Sequence, residues 1–164
     1  MTLANYVTFS RIILIPLVVS LLLNGLNGLA LIIFLLLSSS DAIDGYLARR
    51  FNQVSDLGKF LDPLADKVLV ISVLITLVGL GQVSAVPVII ITARELLVQA
   101  LRIQIASQKQ QIIAANFLAK GKTGLQILAI AMLMLSLPLA NLALWLAVLL
   151  SLISGGNYLW QNKN

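Results

Sequence analysis

The spacing of its apolar runs constrains this chain more than any other feature. Six runs, at 7–23, 28–47, 61–79, 84–106, 123–138 and 141–160, are separated by short polar or glycine-containing breaks. A helix that crosses a bilayer needs about 20 mostly apolar residues, so each run has close to the length of one span. The chain has 164 residues, 60% hydrophobic and 10% charged, with a mean hydropathy of +1.02. Six spans with short connections therefore leave nothing for a separate soluble domain. The pattern predicts an all-α integral membrane protein with six transmembrane helices, forming a single domain over 1–164.

Charge sets the expected orientation. The breaks at 24–27, 80–83 and 138–141 contain no Lys or Arg, whereas Arg49, Arg50 and Lys59 lie in one remaining connection and Lys109, Lys120 and Lys122 in the other. Lys163 follows the last span. The positive-inside rule then places both termini in the cytosol, and a break at Pro138 keeps Lys163 on that side. Trp145 at the outer end and Tyr158 and Trp160 at the inner end fit aromatic belts as well as they fit ordinary packing. The first ten residues carry no basic side chain, which argues against a cleavable signal. The net charge of +5 sits beside spans, with no basic stripe interleaved with aromatics. Anionic lipid and phosphorylated substrates fit that distribution, and nucleic acid does not.

Cysteine and histidine are absent, which removes thiol nucleophiles, imidazole bases and the usual zinc, haem and iron–sulfur ligands. Any metal must be held by oxygen. Five of the six acidic residues fall between Asp41 and Asp66. At 100° per residue, Asp41, Asp44, Gly45, Ala48 and Arg49 share an arc of roughly 140° on the second helix. Gly58, Asp62 and Asp66 recur every fourth residue and share a stripe of roughly 80° on the third. The connection between the two helices is short, so their acidic faces are expected to meet.

Four carboxylates, Asp41, Asp44, Asp62 and Asp66, would repel one another and lose hydration at a membrane boundary. Arg49 alone cannot balance them, whereas one or two divalent cations can, and oxygen-only donors suit Mg2+ or Mn2+. Asp56 reads as a helix cap or a solvated loop residue. Gly45, Ala48 and Gly58 leave room for a flat ligand to approach the backbone, although small residues also serve close helix packing.

The set Asp41, Asp44, Gly45, Ala48, Arg49, Gly58, Asp62 and Asp66 fits, residue for residue and gap for gap, the signature of the CDP-alcohol phosphotransferases, and the sequence resembles that family. The resemblance continues to about Gln126. The stretch 61–67 (Leu-Asp-Pro-Leu-Ala-Asp-Lys), Ala93-Arg94-Glu95, Lys120-Gly-Lys-Thr123 and the opening Asn5, Thr8, Arg11 and Pro16 resemble the bacterial phosphatidylglycerophosphate synthase subgroup. Ala4 and Ala119 depart from that subgroup where proline and glycine are common.

The resemblance implies transfer of a phosphatidyl group from CDP-diacylglycerol to glycerol 3-phosphate, with release of CMP, at the cytosolic face of the cell's inner (plasma) membrane. It implies that Asp41, Asp44 and Asp62 hold metal and the nucleotide diphosphate, and that Asp62 and Asp66 hold a second ion. Asp66 would be the base. Gly45, Ala48 and Gly58 would admit the cytidine ring, with Arg49 near a phosphate. A homodimer rests on the resemblance alone.

The acceptor's phosphate needs a separate cationic site. Arg94, Glu95 and Arg102 fall within roughly 100° on the fourth helix, and Arg94 is about 15 Å along it by helical rise, where solvation cannot account for a charge. Arg94, Arg102, Lys120 and Lys122 are the expected phosphate ligands. The plainer readings are an internal Arg94–Glu95 pair and, for Lys120 and Lys122, ordinary positive-inside charge. Arg11 reads as a side chain that snorkels to headgroups. Other acceptors, as in cardiolipin or phosphatidylinositol-phosphate synthases, remain open on these residues. A divalent-cation transporter would also place acids between helices, but would not require Gly45, Ala48, Arg49 and Gly58.

Overall fold

The computed structural model describes residues 3–50, 56–109 and 117–161, with side chains described for 10–40, 64–101, 103–104 and 121–157. Six helices account for the described residues: α1 (Leu3–Leu23), α2 (Asn27–Arg50), α3 (Asp56–Gly79), α4 (Ala85–Lys109), α5 (Phe117–Met134) and α6 (Ala140–Gln161). No strand occurs among the described residues. All six expected runs are helical. The largest difference from the hydropathy reading is at α5, which begins at Phe117 and so places Lys120 and Lys122 on a helix rather than in a loop. Hydropathy registers apolar content, and Lys is a good enough helix former to extend a helix past the end of its apolar stretch.

Local hydrogen bonding explains the helix ends. At the end of α1, Leu26 N donates to Leu21 O and Gly25 N to Leu22 O, and at the end of α3, Gln82 N donates to Leu77 O and Gly81 N to Val78 O. These are Schellman motifs, whose pivotal residue must adopt a left-handed conformation. Gly25 (φ 73°) and Gly81 (φ 70°) supply it without a side-chain clash. The same motif closes α5, with Leu137 N to Met132 O and Ser136 N to Leu133 O, but here the left-handed position is Ser136 (φ 52°). Pro138 follows directly, and the expected break is present.

The chain divides into two compact units, residues 1–82 and 83–164. In the first, α1 packs against both α2 and α3. Val18, Leu22, Phe34, Leu69, Val73 and Leu77 form its core. In the second, α6 packs against α5 and α4, around Ile91, Ile130, Met134, Leu144 and Val148.

Among the described residues one segment, Ala140–Asn157 of α6, is long and apolar enough to cross a membrane, and Ser10–Leu23, Asn27–Ser40 and Gly121–Met134 are shorter apolar stretches. Large apolar side chains are exposed on every helix, among them Ile13, Leu36, Ile75, Leu97, Leu128 and Ile153. Apolar exposure of this extent is far beyond what a water-soluble monomer tolerates.

Candidate active site

In the first unit the acidic signature occupies the last third of α2 and the first half of α3, two helices that pack against one another. The side chains of Asp41, Asp44, Gly45, Ala48, Arg49, Gly58 and Asp62 lie outside the described residues. Asp66 is described, and its environment is specific. Arg11 Nη1 of α1 donates to Asp66 Oδ1 at 3.3 Å, and Arg11 Nη2 donates to Ser40 Oγ of α2 at 3.1 Å. Ser40 Oγ in turn donates to Leu37 O at 2.8 Å, which fixes its lone pairs toward the guanidinium.

Three helices thus meet at one level. Arg11 precedes the end of α1 by about as many residues as Ser40 follows the start of α2, and Asp66 lies as far into α3 as Ser40 lies from the end of α2. By helical rise this level is about 15 Å from the end of α2 that carries the signature. Asp41 and Asp44 follow Ser40 on α2, and Asp62 precedes Asp66 by one turn on α3. The guanidinium therefore sits at the deep end of the acidic segment.

Arg11 does not snorkel. It is 2% exposed, whereas the Asp66 side chain retains 37% of its surface. Snorkelling requires a path for the charged head to reach water, and the carboxylate and hydroxyl supplied by α2 and α3 give the head an internal destination instead. A buried charge is tolerated when paired and hydrogen-bonded in this way.

In the second unit two of the four expected phosphate ligands, Arg94 and Lys122, meet the single acidic residue there, Glu95. Arg94 Nη1 donates to Glu95 Oε1 at 3.2 Å, and Lys122 Nζ of α5 donates to the same oxygen. Glu95 and Lys122 are 6% and 5% exposed. Arg94 and Lys122 are brought together, and the Arg94–Glu95 pair considered from sequence is present. The side chains of Arg102 and Lys120 lie outside the described residues. Two residues escaped the sequence reading in part: Arg11, whose partners are 29 and 55 residues away, and Glu95, whose link to Lys122 spans 27. Counting residues outward from the helix-connecting turns would have placed Arg11 level with Ser40 and Asp66.

Asp66 presents a partly exposed oxygen-donor carboxylate whose Oδ1 is already oriented, and among the described residues no three acidic side chains gather to hold a metal ion. An oxygen donor of that kind fits a hard divalent cation.

The family model described as CDP-alcohol phosphatidyltransferase matches residues 1–153. The CDP-diacylglycerol–glycerol-3-phosphate 3-phosphatidyltransferase of Bacillus subtilis (strain 168) is 39% identical, over 98% of this chain and 94% of the relative. The protein of the same description from Rickettsia bellii is 38% identical over 95% and 92%. That from Mycoplasma pneumoniae is 43% identical over 72% of this chain and 49% of the relative.

Proposed function

From the membership of this chain in the CDP-alcohol phosphatidyltransferase family, which makes it a CDP-diacylglycerol-dependent phosphatidyltransferase of phospholipid synthesis, we propose that its acceptor is glycerol 3-phosphate and its products are phosphatidylglycerophosphate and CMP. The observation that carries this reading is near end-to-end similarity to relatives named for that reaction, in a chain whose eight signature residues fall on two packed helices.

In this scheme Asp41, Asp44, Asp62 and Asp66 hold Mg2+ or Mn2+, two ions in all, which when bound neutralise the charge of the pyrophosphate. Gly45, Ala48 and Gly58 leave space for the cytidine, and Arg49 pairs with a phosphate. Asp66 takes the proton from the acceptor hydroxyl as its oxygen attacks the phosphorus that carries the diacylglycerol. The bond from that phosphorus to the CMP oxygen breaks, and CMP leaves. Arg11 holds one Asp66 oxygen in place, so the base has a fixed orientation before substrate arrives. Arg94, Arg102, Lys120 and Lys122 receive the acceptor's phosphate. Glu95 keeps Arg94 and Lys122 from repelling one another while that site is vacant, and the cluster keeps a net positive charge for the incoming dianion.

The exposed apolar surface and the distribution of Lys and Arg support six membrane-spanning helices with cytosolic termini and the acidic signature at the cytosolic face of the plasma membrane. The proposed assembly is a homodimer. Because the chain has no cysteine, single cysteines introduced at the breaks report orientation directly. Labelling of position 25 from the cytosolic side of sealed vesicles would overturn the orientation.

The deciding experiment follows CMP release from CDP-diacylglycerol by purified protein, with Mg2+ and a panel of acceptors. Release with glycerol 3-phosphate is expected. Release only with inositol phosphate or phosphatidylglycerol would reassign the acceptor.

A further inference from the structure

Among the described glycines, Gly155 of α6 is the one at which an added side chain would meet a neighbour: a Cβ there would lie 2.9 Å from Arg94 Nε, 3.5 Å from Cγ and 3.6 Å from Nη2. At Gly156, one residue on, a Cβ would meet nothing within 4 Å. The Arg94 side chain therefore lies directly on the α6 backbone, in a slot that exists because position 155 has no Cβ.

Arg94 and Glu95 are consecutive on α4, so their side chains leave the helix about 100° apart. For Arg94 Nη1 to reach Glu95 Oε1 the arginine must bend sideways along α4, and the body that it bends against is α6, which packs on α4. The tightest contact is with Nε, the base of the guanidinium, with Cγ and Nη2 farther off. A methyl group at 155 displaces the whole fork, not one of its ends. Glu95 also holds Lys122, so the geometry of both cations depends on where Arg94 rests.

We propose that Gly155 is a positioning residue for the acceptor-phosphate site, fixing the Arg94 guanidinium beside Glu95 and so setting how tightly a phosphorylated acceptor binds. This rests on the assignment of Arg94 to the acceptor's phosphate. Bidentate recognition by a planar fork is sensitive to displacements well under 1 Å, whereas the CDP-binding signature lies on other helices.

The test is steady-state kinetics of Gly155→Ala, Gly156→Ala, Arg94→Lys and Arg94→Ala, with Gly155→Ala also made in the Arg94→Ala background, each varying glycerol 3-phosphate at saturating CDP-diacylglycerol and the reverse. Gly155→Ala is expected to raise KM for glycerol 3-phosphate about tenfold, with kcat and KM for CDP-diacylglycerol within about twofold. Gly156→Ala is expected to leave all three unchanged. In the Arg94→Ala background, which has no side chain beyond Cβ to meet position 155, Gly155→Ala is expected to add nothing, the coupling expected of residues in contact. That background also relieves the clash, so the cycle can be read even if the single variant folds poorly. If Arg94→Lys raises KM for glycerol 3-phosphate but Gly155→Ala does not, the positioning role is wrong and the acceptor assignment stands. Neither variant changing that KM would remove the assignment and the proposal with it. Equal losses in Gly155→Ala and Gly156→Ala would reduce Gly155 to a packing residue.

Discussion

The two compact units differ in charge balance. Residues 1–82 hold five acidic and five basic side chains, whereas residues 83–164 hold one acidic and six basic, so the whole net charge of +5 belongs to the second unit. Each unit buries an ion pair that links its helices, but with the roles reversed. In the first, one arginine, Arg11, serves a carboxylate of the acidic signature. In the second, one carboxylate, Glu95, serves two cations. Arg11 is the buried member of the first pair, whereas in the second Glu95 and Lys122 are both buried. In the proposed reaction the clustered carboxylates of the first unit suit metal and nucleotide, and the basic excess of the second suits a phosphorylated acceptor.

Variants that exchange or remove the two partners should break that symmetry by differing amounts. Asp66→Asn keeps shape and hydrogen bonding but removes the proposed base, and turnover should fall about 10²–10⁴-fold with metal saturating. Near-normal turnover in a CMP-release assay would remove Asp66 from that role. Glu95→Gln leaves two buried cations facing a neutral amide, and loss of one partner of a buried pair costs about 3–5 kcal/mol. Thermal unfolding in detergent should show it, with metal-independent destabilisation. Arg11→Ala removes the buried charge itself and leaves a partly exposed carboxylate, so the expected cost is smaller, about 1.5–3 kcal/mol, and Arg11→Lys should recover part of it. A larger loss for Arg11→Ala than for Glu95→Gln would mean that the first unit, not the second, depends more on its pair.

The smallest effect concerns the helix ends. The first unit places glycine at both left-handed Schellman positions, Gly25 and Gly81, whereas the second places Ser136 there. An L-residue in that conformation costs roughly 1 kcal/mol, so Ser136→Gly should stabilise by about 0.5–1 kcal/mol, readable as a raised unfolding temperature. Gly25→Ala should do the opposite.

The helices were legible because apolar runs of near-span length, punctuated by glycine and polar residues, leave few alternatives. The start of α5 was not, because helix propensity carries Phe117 to Lys122 beyond the strongly apolar stretch. The acidic cluster stood out by its spacing, but the side chains of Asp41, Asp44 and Asp62 lie outside the described residues, and the family match covers residues 1–153 rather than that segment alone. Arg11 was misread because a lone arginine near the end of an apolar run has a generic explanation, and its partners lie on other helices. Gly155 could not be read at all. A glycine in an apolar helix carries no record of what crosses its face, and only Arg94 lying there distinguishes it from Gly156.

The Arg11 contact also has a consequence for how the first unit finds its register. Apolar faces of Leu, Ile and Val slide past one another at little cost, because each lateral displacement exchanges one methyl contact for another. A guanidinium seated between a carboxylate and a hydroxyl on two other helices has one depth at which all three groups meet. Displacing α1 by a single turn, about 5.4 Å, would separate the guanidinium from both partners. Arg11 thus works as a detent, a notch that selects one alignment out of many nearly equivalent ones. An alanine inserted into α1 ahead of Leu23 would turn that notch against the native fold.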